Sequence, residues 1–201
     1  MKKKIPSLLL SAALAVSLLA GCGGNPSNND GSGSNAGPAK DTLVFSIPSE
    51  PTTLDATTAG ERITYLPVHA IHDTILAEGD NGEIVGNLVE SWEISEDNLT
   101  YTMKIREGVK FHQGQTMTVE DVMFSLQKST ENFAGRYSVI TNIEKVDDTH
   151  FKFTLAYPFS PVLNLLALTN ASVVCKETYE ANPEGYGRNP NGTGPFKFVS
   201  W

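Results

Sequence analysis

The sequence holds 201 residues, 40% of them hydrophobic, with 15 Lys+Arg against 23 Asp+Glu and a formal net charge of −8. An acidic balance of this kind opposes nucleic acid and anionic lipid as partners and favours solubility. Two cysteines, Cys22 and Cys175, are too few for a disulfide framework.

The chain opens with Lys2, Lys3 and Lys4, follows with an apolar run over residues 8–20, and closes with Leu19-Ala20-Gly21-Cys22. A positive start, an apolar stretch and small residues before a cysteine form a secretory signal of the lipoprotein type. The run falls short of the roughly 20 residues that a membrane-crossing helix needs, so cleavage is expected. Residues 1–21 then form the signal, and the Cys22 thiol carries the lipid. The exported chain is held at the cell membrane on the extracytoplasmic side, in the periplasm or on the outer surface. Cleavage removes three lysines and no acid, which leaves the mature chain more acidic still. Residues 22–40 are dominated by Gly, Ser, Asn and Pro and cannot pack a core, so they read as a flexible tether.

About 160 residues remain, the size of one domain or a little more. Leu43-Val44-Phe45-Ser46-Ile47, stopped by Pro48, predicts a strand, and a loop over residues 49–55 follows. Val68, Ile71, Ile75 and Leu76 fall on one helical face, with Pro67 in the first turn. Asp80-Asn81-Gly82 marks a turn. Ser91 to Ile94 and Thr100 to Ile105 predict a hairpin, in which Tyr101, Met103 and Ile105 alternate with polar residues. Thr118 with Asp121 reads as a capping box for a helix from about Val119 to Lys128, whose apolar face is Val119, Val122, Met123 and Leu126. A second hairpin joins Ile143 to Val146 with Phe151-Phe153-Leu155 across Asp147-Asp148. Pro161 opens a short apolar helix through Leu168, a strand lies near Val173, and a loop over residues 182–195 leads to a last strand, Phe196 to Val199. Strands and helices mix without regular βαβ spacing, which predicts an α/β or α+β fold around a mixed sheet.

The residues that could carry chemistry are sparse. His69 and His72 stand three apart, a spacing that can present two imidazoles to a metal, but no third histidine or HExxH pattern accompanies them. Partial burial beside the helix's apolar face is the expectation, with no metal and no cofactor. His112 has no serine or cysteine nucleophile motif around it, and the glycine-rich GYGRNPNGTGP at 185–195 lacks the Gly-Lys-Ser/Thr ending of a phosphate-binding loop. No catalytic residue is expected. Trp92 reads as core, and Cys175, inside an apolar run, as a buried thiol, with pairing to a cysteine outside this chain as the alternative.

Leu88-Val89-Glu90-Ser91-Trp92, then residues 101–112 ending in Phe111-His112, then Gly114 and Thr118-Val119-Glu120-Asp121-Val122 with Phe124-Ser125, together resemble the signature of the family 5 extracellular solute-binding proteins. Val146-Asp147-Asp148-Thr149 and Gly192-Thr193-Gly194-Pro195-Phe196 before Trp201 are similar to further landmarks, in the family's order. Gln113, Thr116 and Met103 depart from the pattern, all in framework segments.

The resemblance implies a type II periplasmic-binding-protein-like α/β fold, present in part because members are much longer than this chain. Residues 41–62 and 173–201 would belong to lobe one, residues 63–172 to an inserted mixed α+β domain, and the second lobe would be missing. It implies the binding component of an ABC importer, with a small solute and ABC permease subunits as partners. An oligopeptide or dipeptide is the leading solute and a nickel complex an alternative. The loop after the first strand would face the ligand, which makes Glu50, Pro51, Thr52 and Thr53 the candidate contacts. A truncated chain that binds nothing, or a surface sensor or enzyme reusing the fold, are the competing readings.

Overall fold

The computed structural model describes residues 42–201. The expected signal, the lipidated Cys22 and the tether lie outside the described residues. Residues 42–45 group apart from the unit formed by residues 46–201. Leu43, Val44 and Phe45 are exposed, and the strand expected over residues 43–47 does not form. A strand needs a ladder partner for its backbone N–H and C=O groups, and neither sheet among the described residues includes this segment.

Within residues 46–201 the first element is α1 (Arg62–Ile71), which buries Thr64, Val68 and Ile71. It begins earlier than its apolar pattern predicts, so Pro67 sits inside the helix rather than in its first turn. It also ends sooner. His72 leaves the helix at φ −122, ψ 144, and Ile75 and Leu76 reach the core from extended backbone, held by the carbonyls of Ala171 and Leu166. The spacing of four buried apolar residues was therefore helical across a helix–strand junction.

A small hairpin of β1 (Leu76–Glu78) and β2 (Ile84–Gly86) turns at Asp80-Asn81-Gly82. The main sheet has four antiparallel strands in the order β3 (Val89–Ile94), β4 (Thr100–Ile105), β6 (His150–Leu155), β5 (Ile140–Lys145). It is two hairpins placed side by side. Each is closed by an aspartate: Asp97 Oδ1 accepts the Leu99 N–H at 3.0 Å, and Asp147 Oδ1 accepts the Thr149 and His150 N–H groups at 2.7 and 2.8 Å. Such side-chain bonds build the turn without tertiary help. On the central strands Tyr101, Met103 and Ile105 line up with Phe151, Phe153 and Leu155, all buried on one face. Tyr101 stacks on Phe153 with ring centroids 5.0 Å apart.

The buried face is covered by α2 (Val119–Asn132), four residues longer than its sequence pattern predicts. Its capping box is complete: Thr118 Oγ1 accepts the Asp121 N–H, and Asp121 accepts the Thr118 N–H at 2.8 Å. Val119, Val122 and Leu126 enter the main core, while Phe124 packs against a second cluster of Ala56, Ala59, Val68, Val174, Tyr179 and Tyr186. Between the two, Asp121, Ser125 and Ser129 form a buried polar stripe at i, i+4 and i+8. Asp121 accepts the Lys176 N–H at 2.8 Å, Ser125 Oγ accepts the Val174 N–H at 3.0 Å, and Ser129 donates to the Asn170 carbonyl. Helix side chains thus satisfy backbone groups of residues 170, 174 and 176 that no strand pairs.

Short elements complete the unit: α3 (Ala134–Tyr137), α4 (Val162–Leu165) with Pro161 at its N-cap, α5 (Lys176–Ala181), and 3-10 turns at Thr169–Ala171 and Tyr186–Arg188. The strand expected near Val173 reduces to a single bridge between Thr74 and Ser172. Phe196 to Val199 is not a strand either, because Gly194 and Phe196 donate their N–H groups to the end of α1. Cys175 is a buried free thiol, as expected. Trp92 is only half-buried and packs on the edge of the main core. No helix among the described residues is long and apolar enough to cross a membrane.

Candidate functional site

The last carbonyls of a helix have no partner within it, and at the end of α1 they are claimed by the Gly-Thr-Gly-Pro-Phe segment. Gly194 N–H donates to Ile71 O at 2.8 Å and Phe196 N–H to Ala70 O at 2.9 Å. The approach is so close that only glycine fits at two positions. A Cβ on Gly192 would stand 2.1 Å from Ile71 O, and one on Gly194 2.7 Å from the Ile71 carbonyl carbon.

Two histidines brace this junction. His112 Nε2 lies 2.7 Å from Gly194 O, and its backbone N–H donates to Gly192 O at 2.9 Å. His72 is wholly buried with Nδ1 3.3 Å from Val173 O, and burial lowers its pKa to about 4. His69 is a separate matter: its Nε2 is 2.7 Å from Thr169 Oγ1, and burial lowers its pKa against the opposing pull of Asp73. His69 and His72 therefore answer to different partners instead of converging, and no group of three or more metal-ligating side chains occurs among the described residues. Thr193 Oγ1 donates to Asp73 at 2.8 Å, and Tyr186 OH donates to Asn191 O at 2.9 Å.

The loop holding Glu50, Pro51, Thr52 and Thr53 is pinned against this frame from its far end. Leu54 N–H donates to Gly187 O at 2.9 Å. Thr53 Oγ1 accepts the Asp55 N–H at 3.0 Å, and buried Asp55 accepts both the N–H and the hydroxyl of Thr57 at 2.8 Å. Tyr179 OH reaches the other Asp55 oxygen at 3.3 Å. The four candidate contacts are not equivalent. Pro51 forms part of a groove wall, Thr52 is exposed and donates to Glu61 at 3.4 Å, Thr53 is spent inward on the turn, and Glu50 stands at the rim.

The groove has a volume of about 560 Å³. Its apolar lining includes Pro51 and Leu54, Pro67 and Ile71 of α1, and Phe196 and Trp201. At the rim, Trp201 Nε1–H donates to Glu50 Oε1 at 2.9 Å, and the Arg188 guanidinium carbon lies over the Trp201 ring, 3.6 Å from its centroid. Arg188 and Trp201 are not among the site residues expected from sequence, since 138 and 151 residues separate them from Glu50. Chemically, the arrangement can hold an apolar body and orient a polar group at its edge.

Comparisons with known proteins bear on the family and the fold. Residues 83–201 match the family model of bacterial extracellular solute-binding proteins, family 5 Middle. The glutathione-binding protein GsiB of Escherichia coli O157:H7 is 29% identical over 198 residues, covering 96% of this chain and 36% of that protein. Among solved structures, the periplasmic binding protein DppA of Helicobacter pylori in complex with the peptide STSA superposes with a TM-score of 0.67 at 28% identity. It covers 76% of this chain and 35% of that one. The binding protein AgaA from A.tumefacien R10 in complex with agropinic acid gives 0.69 at 34% identity, with 76% and 32% covered. This chain spans about a third of the length of the relatives it matches, and the fold it shares with them is the mixed α/β architecture of periplasmic binding proteins, in part. The chain belongs to the bacterial extracellular solute-binding proteins of family 5.

Proposed function

We propose that the protein is the lipid-anchored substrate-binding component of an ABC importer for peptides, which delivers its solute to a membrane permease without converting it chemically. The observation that carries this reading is the groove beside residues 50–53, with apolar walls and a charged rim. Of the candidate contacts Glu50, Pro51, Thr52 and Thr53, Pro51 lines the groove and Glu50 stands at its rim, whereas Thr52 lies outside it and Thr53 is turned inward. A peptide with an apolar side chain in the groove and its backbone along the loop would be held with limited sequence preference. Relatives whose names specify glutathione or a bound peptide support a peptide-sized solute, and a neighbour in complex with Ni(L-His) keeps a nickel complex as the second ligand to try.

Residues 41–62 and 173–201 would form part of lobe one, and residues 63–172 the inserted domain. The cluster joining Ala56 and Ala59 to Val174, Tyr179 and Tyr186 brings the two outer segments into contact, with Val68 and Phe124 of residues 63–172 packed into it. Closure of a second lobe over the groove would be a hinge motion. The anchor is Cys22, through which the protein stays on the extracytoplasmic face of the membrane.

Thermal melting of the intact protein with peptide pools tests the binding reading. A ligand at 100 times its Kd stabilises by about 2.7 kcal/mol, so a clear rise in Tm is expected. A Tm unmoved by peptides, while a nickel–histidine complex raises it, would exclude peptide as the solute. For the anchor, the wild-type protein should sediment with membranes and Cys22→Ala should be released. A Cys22→Ala protein that stays with the membrane would contradict lipidation there.

A further inference from the structure

The rim of the groove holds an arginine whose position is set but whose donors are not used up. Arg188 Cζ lies over the Trp201 ring, 3.6 Å from its centroid, within the range of a cation–π contact. Trp201 is in turn held by its bond to Glu50 at 2.9 Å. Glu50 Oε1 is 3.9 Å from Arg188 Nη1, an ion pair beyond hydrogen-bond reach, and the Arg188 side chain is 59% exposed. A guanidinium has five N–H donors in a rigid fork that matches a carboxylate with two parallel bonds. The contact with Trp201 restricts the side chain, so less freedom is lost when an anion docks. Lys197 lines the same groove, with its ammonium 3.3 Å from the His112 carbonyl.

We propose that Arg188, stacked on Trp201, receives a carboxylate of the bound solute, so that the preferred ligand is an anionic compound with an apolar flank. The carboxylate meets the exposed edge of the guanidinium and the apolar flank lies between Pro51 and Phe196. Glu50 keeps Trp201 in place and repels a second carboxylate, which gives the ligand one orientation. This inference rests on the groove being the solute site.

The test compares two peptide pools that lack Asp and Glu, one with free carboxyl termini and one amidated, by thermal melting of the intact protein and of Arg188→Gln and Arg188→Lys. Wild type should prefer the free acids by about tenfold in apparent affinity, the worth of one charge-assisted pair. Arg188→Gln should bind both pools equally at the affinity of the amidated pool, and Arg188→Lys should keep part of the preference. Equal response of the wild type to both pools would overturn the proposal. So would an acid preference that survives Arg188→Gln, including one accompanied by a lower Tm without ligand, which would make Arg188 structural. A wild type that answers neither pool would fail the peptide-binding reading itself, and this inference with it.

Discussion

At the scale of single residues, Gly192, Gly194, His72 and His112 form one device that locks a loop to the end of a helix. Replacing Gly192 by alanine puts a methyl 2.1 Å from Ile71 O, a backbone atom that cannot swing aside. A loss of stability near the top of the usual range for single substitutions, about 3 kcal/mol, is expected in urea unfolding. His72 makes stability depend on pH. Its folded pKa, about 4, lies below its usual 6.5 because burial disfavours the charged ring. Above pH 6.5 it is neutral in both states and the fold keeps its full stability. As pH falls from 6.5 towards 4 the unfolded chain takes up a proton that folded His72 refuses, and stability drops by an amount on the order of 3 kcal/mol. His72→Gln should flatten the stability profile between those pH values, and a slope equal to that of wild type would refute this role. The glycines and histidines stood out in the sequence, but their partnership did not. It joins residues far apart in the chain through backbone atoms, which leave no side-chain pattern to read.

At the scale of elements, the legible parts were those whose signals are local. The hairpins close through Asp97 and Asp147 bonding to N–H groups two or three residues on, and α2 starts at a capping box. Thr118→Ala should cost about 1 kcal/mol, measured by urea unfolding. Leu126→Ala, which empties a fully buried site between α2 and the sheet, should cost about 2–5 kcal/mol in the same measurement. The illegible parts depend on distant chain. The end of α1 is decided by Ala171, Leu166 and Ser172, which draw Thr74, Ile75 and Leu76 into extended backbone. The stripe Asp121, Ser125, Ser129 is buried, and it bonds the backbone of residues 170, 174 and 176, which no local signal announces. Likewise Arg188 and Trp201 reach Glu50 only because the frame around Gly194 brings the chain back past the end of α1.

At the scale of the molecule, residues 46–201 contain two apolar cores that share α2, and the groove lies where the loop at 50–53, α1 and the segment after Gly194 meet. Phe196 is 64% and Val199 90% exposed beside it. Apolar surface gathered in one place promotes association, so residues 40–201 prepared alone should self-associate in a concentration-dependent way in sedimentation velocity. A single monomeric species at high concentration would speak against that. The acidic charge and the family relationship agree with a role outside the cytoplasm.

Solute capture in that groove is tested most directly by blocking it. Ala70 lines it from the last turn of α1, so Ala70→Trp projects an indole into the space without removing the backbone bond to Phe196. Calorimetric titration of the intact protein with the peptide pool that raises its Tm should show binding to wild type and at least a tenfold loss, about 1.4 kcal/mol, in Ala70→Trp of unchanged ligand-free Tm. Peptide affinity equal in the two proteins would place the solute elsewhere and contradict the account.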